Sequence, residues 1–92
     1  MLEIEPGRVV LSSAGHDKDI FHVVLFADET RVWIVDGKYH KLDKPKRKNP
    51  KHLRVTGVLI KPEDLKTDKR IREILKKYNC SKTNVMPKGQ GG

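Results

Sequence analysis

Positive charge in this chain is concentrated in one segment, residues 38–54, which reads KYHKLDKPKRKNPKHLR. The segment holds eight Lys or Arg against one acid, Asp43, and so carries a net charge of +7. The whole chain of 92 residues carries +8, whereas residues 1–37 carry −4 and residues 55–92 carry +5. A cationic segment of this density on a small domain is typical of proteins that bind polyanions.

Lysine outnumbers arginine in this basic segment by six to two. An ammonium group binds phosphate as a point charge, whereas bidentate reading of a base edge is favoured by a guanidinium. We therefore expect the segment to contact a nucleic-acid backbone with weak sequence preference. The residues that we assign to this contact are Lys38, Tyr39, Lys41, Lys44, Lys46, Arg47, Lys48, Lys51, His52 and Arg54.

Aromatic side chains are interleaved with the cations of this segment. Tyr39, His40 and His52 could stack on unpaired bases, as such side chains do in single-stranded RNA recognition. Packing along a strand explains Tyr39 equally well, and His52 fits better as a hydrogen-bonded residue at the edge of the domain. Trp33 lies in an apolar stretch, VWIV, which favours packing in the core.

The basic segment also has two other interpretations. One is a solvated loop that keeps the protein in solution. The other is a nuclear import signal, because residues 44–48, KPKRK, have that composition. A further alternative for the whole chain is a protein–protein interaction module of a transcription or translation factor, in which the basic segment only steers association.

Residues that could support catalysis or metal binding show no useful spacing. The four histidines lack the pattern of a metal site, and the lone Cys80 has no cysteine partner. The chain has neither a nucleophile elbow nor a phosphate-binding glycine loop. We therefore expect no enzyme activity, no metal, no cofactor and no small-molecule substrate.

Cysteine usage and hydropathy indicate where the protein is located. One cysteine excludes an internal disulfide framework, which suits a reducing compartment. No apolar run approaches the about 18 residues of a membrane span, and the N-terminal MLEIEPG does not resemble a secretory signal. We expect a cytoplasmic protein without a membrane partner, and a monomer is favoured.

The elements that must position the basic segment are short strands. Alternating or continuous apolar residues predict about five of them, at residues 8–12, 21–26, 31–35, 38–42 and 53–60. Asp36-Gly37 is a typical two-residue hairpin turn, so residues 38–42 are expected to return as a strand. Pro45 and Pro50 then bracket an extended basic loop. Strands this short favour a small curled sheet or barrel.

The chain ends with a helical pattern. Ile71, Ile74, Leu75 and Tyr78 share one helical face, and Thr67 or Asp68 can cap the first turn. We expect the helix to end at Asn79 and to pack on the barrel, although its apolar face also suits a partner groove or a membrane surface. The predicted organisation is a barrel at 1–60, a helical extension at 61–80 and a flexible tail at 81–92.

Residues 7–19, GRVVLSSAGHDKD, followed by the strand FHVVLF, resemble a KOW motif, which is a strand, a glycine-containing loop and a second strand. Together with VDGK at 35–38 and KPKRKNPKHL at 44–53, the chain is similar to small bacterial KOW-domain RNA-binding proteins. These are related to archaeal and eukaryotic large-subunit ribosomal proteins. The resemblance covers about residues 5–60. Many KOW motifs have a second glycine where this chain has Asp19.

The resemblance implies a mainly β fold, an SH3-like barrel, and a function in RNA binding. It implies association with ribosomal RNA and with the large ribosomal subunit as the expected partners. It also implies that the first loop contributes contacts, for which the candidates are Gly15, His16 and Lys18.

Overall fold

A computed structural model describes residues 3–15 and 18–84 of this chain. Five antiparallel strands form one sheet in the order β4-β3-β2-β1-β5. The strands are β1 (Arg8–Ser12), β2 (Phe21–Ala27), β3 (Val32–Val35), β4 (Lys46–Lys48) and β5 (Leu53–Leu59). Short 3-10 turns at Pro50–His52 and Pro62–Leu65 precede β5 and the helix α1 (Asp68–Asn84). The predicted fold class, a small barrel-like β fold with one C-terminal helix, is confirmed.

The sheet has an apolar cluster on each of its two faces because successive side chains of a strand point to opposite sides. The inner cluster lies inside the curled sheet and consists of Val10, Val24, Val32, Ile34 and Leu53. The outer cluster lies between the sheet and α1 and consists of Val9, Val23, Val35, Ile60, Ile71 and Leu75. The continuous apolar runs in the sequence therefore reflect strands that are covered on both sides.

Helix α1 packs against its own barrel, as the sequence predicts. Ile71 and Leu75 are buried in the outer cluster, and the Thr67 hydroxyl accepts a hydrogen bond from the Arg70 backbone N–H at 3.2 Å. The predicted helix end at Asn79 is wrong. The Asn79 side chain accepts a hydrogen bond from the Phe21 backbone N–H at 2.9 Å, and the helix continues through this residue to Asn84.

The extra helical residues change the boundary of the expected tail. Residues 81–84 belong to α1, whereas the prediction placed them in a flexible tail. Residues 85–92, the remainder of that tail, lie outside the described residues. No helix in the part of the chain that the structure describes is long and apolar enough to cross a membrane.

The segment after Asp36 is a compact loop, and the predicted strand at 38–42 is wrong. One carboxylate oxygen of Asp36 accepts hydrogen bonds from the backbone N–H groups of Lys38, Tyr39 and His40, at 2.9, 2.9 and 2.8 Å. Backbone N–H groups that donate to this carboxylate cannot also donate to β3. The chain therefore does not pair with β3 as the second strand of a hairpin. Strand β4 forms later, at Lys46–Lys48, inside the segment that was expected to be a loop.

The loop at residues 36–42 is also held by α1. The Asp68 carboxylate accepts a hydrogen bond from the Leu42 N–H at 2.7 Å, and the Arg72 guanidinium donates to the Gly37 carbonyl at 3.1 Å. Gly37 has φ +79°, which an L side chain rarely adopts. The helix that completes the core therefore also fixes the shape of the 36–42 loop.

The β1–β2 loop contains a non-glycine residue with a left-handed backbone conformation. Asp19 has φ +68°. Aspartate is one of the few side chains that tolerate this left-handed conformation. The Asp19 N–H donates to the Ser12 carbonyl at 2.8 Å, which closes the loop onto β1. The backbone thus keeps a glycine-like geometry at this position without glycine.

Candidate nucleic-acid interface

A concavity of about 480 Å³ lies between the 36–42 loop and β4. We call this surface the basic concavity. Its lining residues are Tyr39, His40, Lys41, Asp43, Lys44, Pro45, Lys46 and Arg47. The structure therefore brings together six of the ten residues that were predicted to bind RNA, counting Lys38, which is placed over the ring of Tyr39 at 5.1 Å.

The charge of the basic concavity is strongly positive. Four of its lining residues are Lys or Arg, and Asp43 is the one acidic residue among them. Among the side chains that the structure places, Lys41, Lys44 and Arg47 form no ion pair with a carboxylate. All three are exposed. Their charge is therefore available to an anion from solution.

Tyr39 is an exposed aromatic residue at the rim of the basic concavity, with 69% of its surface accessible. Of the two interpretations of Tyr39, packing along a strand does not fit, because the residue lies in the 36–42 loop. The Lys38 ammonium above its ring leaves a cation and an aromatic face side by side. His40 lies deeper, with its ring 5.8 Å from that of the buried His22.

Lys48 has a structural position that its sequence context did not indicate. It lies opposite the buried Val32 in the β3–β4 pair and is itself only 9% exposed. Its ammonium donates a hydrogen bond to the Ala14 carbonyl at 3.0 Å and so ties β4 to the β1–β2 loop. Lys48 therefore joins these two elements, and its predicted contact with phosphate stays a prediction that its burial weighs against.

The different positions of Lys48 and Lys44 give a prediction about these two lysines of the basic segment. Lys48→Met should cost about 1 kcal/mol of unfolding free energy, the usual worth of a hydrogen bond, with little change in RNA affinity. Lys44→Met should leave stability unchanged but weaken RNA binding about fivefold at ~0.1 M salt, because one phosphate contact is lost. Urea unfolding and filter binding on both variants measure the two effects. The position of Lys48 would be contradicted if Lys48→Met weakened RNA binding without loss of stability while Lys44→Met lowered stability.

The remaining predicted contacts lie after the Pro50–His52 turn. Lys51, His52 and Arg54 are all exposed. The His52 carbonyl accepts a hydrogen bond from the Ser13 N–H at 2.8 Å, so this turn lies beside the β1–β2 loop with its exposed Gly15 and Lys18. His16, the third candidate in that loop, lies outside the described residues. These residues lie near the first loop and do not line the basic concavity.

Two aromatic residues outside the basic segment were missed as candidates. Trp33 was expected in the core, but it belongs to neither apolar cluster. Its ring lies 5.0 Å from the ring of Phe26, which is 56% exposed. A register shift in β2 between Val24 and Phe26 explains the error, because it turns Phe26 to the opposite face from Val24.

The turn that joins β2 and β3 is organised by Asp28. The backbone N–H groups of Thr30 and Arg31 donate to one oxygen of its carboxylate, both at 2.8 Å. These hydrogen bonds, that from Thr30 first, lower the pKa of Asp28 below its usual value. Their contribution to stability is therefore present at neutral pH and is lost as the pH falls through the lowered pKa.

Comparison with known proteins gives no identification: no family model and no curated protein matches this chain. Within residues 3–15 and 18–84, no three His, Cys, Asp or Glu side chains come together in a way that could hold a metal ion. The arrangement of charge and aromatic surface is therefore the basis for assigning a function.

Proposed function

We propose that this protein binds structured RNA through its phosphate backbone, with weak sequence preference. The observation that carries the proposal is that Lys41, Lys44, Lys46 and Arg47 all line one concavity, which contains a single carboxylate. Three of these cations are lysines, which suit phosphate contact better than base reading. Release of counterions from neutralised phosphates then supplies most of the binding free energy.

The likeness to KOW-domain proteins supports a more specific partner. The KOW-like motif itself lies at residues 7–26, whereas the stretches that suggest the ribosomal relatives are VDGK at 35–38 and KPKRKNPKHL at 44–53. These two stretches build the 36–42 loop, β4 and the turn before β5, and so include most of the cationic surface. We propose ribosomal RNA of the large subunit as the target and the cytoplasm as the location.

A protein-docking function is the main alternative, and exposed apolar residues favour it. Phe26, Tyr39 and Leu59 are the large hydrophobic side chains that are exposed among the described residues. In this case the basic concavity would only accelerate association with an acidic partner. Such a complex would be held by apolar contacts, which respond weakly to salt.

Salt dependence separates these two functions. Four phosphate contacts give a log–log slope of roughly −3 to −4 against salt concentration, so a change from ~0.1 to ~0.2 M should weaken RNA binding about tenfold. Filter binding with a structured ribosomal RNA fragment measures this slope. A slope near zero would exclude the backbone-binding mode that we propose. If the slope is steep, cross-linking in cells followed by sequencing of the bound RNA identifies the target.

A further inference from the structure

The outer face of β2 and β3 has an aromatic pair that α1 leaves uncovered. Val23 and Val35 are paired across these strands and are buried beneath the helix. Phe26 and Trp33 form the next outward-facing pair, beyond the register shift, and lie in neither apolar cluster. Their rings are inclined at 43° with centroids 5.0 Å apart, so Phe26 and Trp33 contact each other while Phe26 remains largely open to solvent.

Arg47 joins this aromatic pair to the basic concavity. In the β3–β4 pair Arg47 lies directly opposite Trp33, so the two side chains leave the same face of the sheet with Cβ atoms about 5 Å apart. Arg47 also lines the basic concavity. The aromatic pair and the basic concavity therefore adjoin each other at Arg47.

The aromatic rings and cations at this junction indicate which kind of ligand it can bind. An apolar protein segment could pack on Phe26 and Trp33, but it would place no negative charge near the neighbouring cations. A nucleotide of an unpaired strand has both parts, a planar base that stacks on rings and an anionic phosphate that binds ammonium or guanidinium groups. Arginine also offers a planar face on which a base can stack.

We propose that Phe26, Trp33 and Arg47 form a stacking site for an unpaired base of RNA whose adjacent phosphates enter the basic concavity. This proposal rests on the proposed function and refines it. The protein would bind a bulge, loop or single-stranded end next to a helix in preference to a continuous duplex. The protein would prefer single-stranded to double-stranded RNA but would not distinguish one base from another, because every base has a face that can stack.

The single tryptophan of the chain provides a direct test. The full chain is titrated with a single-stranded 12-nucleotide RNA, with a duplex of the same length and with inorganic polyphosphate. Emission of Trp33 and filter binding are followed in each titration. We expect the single strand to quench Trp33 strongly, and the other two polyanions to bind through the cations with little quenching.

Two substitutions of Phe26 separate stacking from simple apolar contact. Phe26→Leu keeps an apolar side chain but removes the ring, and should lower affinity for the single strand about fivefold or more. Phe26→Tyr keeps the ring and should retain affinity. Neither change should alter binding of the duplex or of polyphosphate. Urea unfolding of both variants verifies that the fold is retained, as expected for a residue that is 56% exposed.

The outcomes distinguish the two proposals. If all three polyanions bind without quenching and Phe26→Leu has no effect on the single strand, the stacking site is refuted but RNA backbone binding stands. If no RNA binds, the proposed function fails and the stacking site fails with it.

Discussion

Simultaneous charge reversal of Lys41, Lys44 and Arg47 to Glu should reduce RNA affinity about a hundredfold at ~0.1 M salt. Each cation that contacts a phosphate contributes about fivefold or more under these conditions, and the new carboxylates add repulsion. The three side chains are exposed and make no ion pair with a carboxylate among the described residues, so the fold should persist. Filter binding and circular dichroism measure the two quantities.

A matched variant controls for net charge. Lys61, Lys76 and Lys77 are also exposed, and their reversal to Glu changes the charge of the chain by the same amount. None of these three lines the basic concavity. We expect this control to lose far less affinity. Equal losses of affinity in both variants would show that RNA binding depends only on the total charge of the protein. The basic concavity would then have no special role.

Gly37→Ala should destabilise the protein by about 3 kcal/mol, because backbone strain and overpacking act together. An added Cβ would lie 2.8 Å from the Arg72 nitrogen and closer still to the Asp68 carbonyl oxygen, both in the first turns of α1. The left-handed φ of +79° is unfavourable for alanine as well. To relieve these contacts α1 must move away from the 36–42 loop, so the variant should also bind RNA more weakly.

Gly57→Ala is the matched control for this substitution. A Cβ at Gly57 would meet no atom within 4 Å, and no left-handed φ is required there. The change should raise stability slightly, by about 0.5 kcal/mol, because it restricts the unfolded chain. Urea unfolding of both variants gives the comparison. Similar free energies of unfolding for both would contradict the close approach of α1 to Gly37.

Most of the strand and helix positions could be predicted because apolar alternation in this chain is strong. Strands β1, β2, β3 and β5 and the start of α1 follow directly from that pattern. The error at residues 38–42 has a specific cause. Asp36-Gly37 has the composition of a hairpin turn, but the Asp36 carboxylate takes up the N–H donors that a returning strand would need.

The candidate site could be predicted in part, because charge density is visible in sequence while side-chain direction is not. Lys46, Arg47 and Lys48 look alike in the sequence, yet their strand sends Lys48 inward to Ala14 and Arg47 outward beside Trp33. The aromatic pair was missed for a related reason. The register shift near Phe26 interrupts alternation along β2, and a sequence pattern gives no sign of it.

Strand β4 also affects whether copies of this protein can associate through the edges of their sheets. It is a terminal strand of the sheet and consists of three consecutive cations, Lys46, Arg47 and Lys48. An unpaired strand edge invites hydrogen bonding by another chain, and lysine-rich edges discourage this by electrostatic repulsion. The charges that we propose to bind phosphate therefore also oppose pairing of another chain with this edge of the sheet.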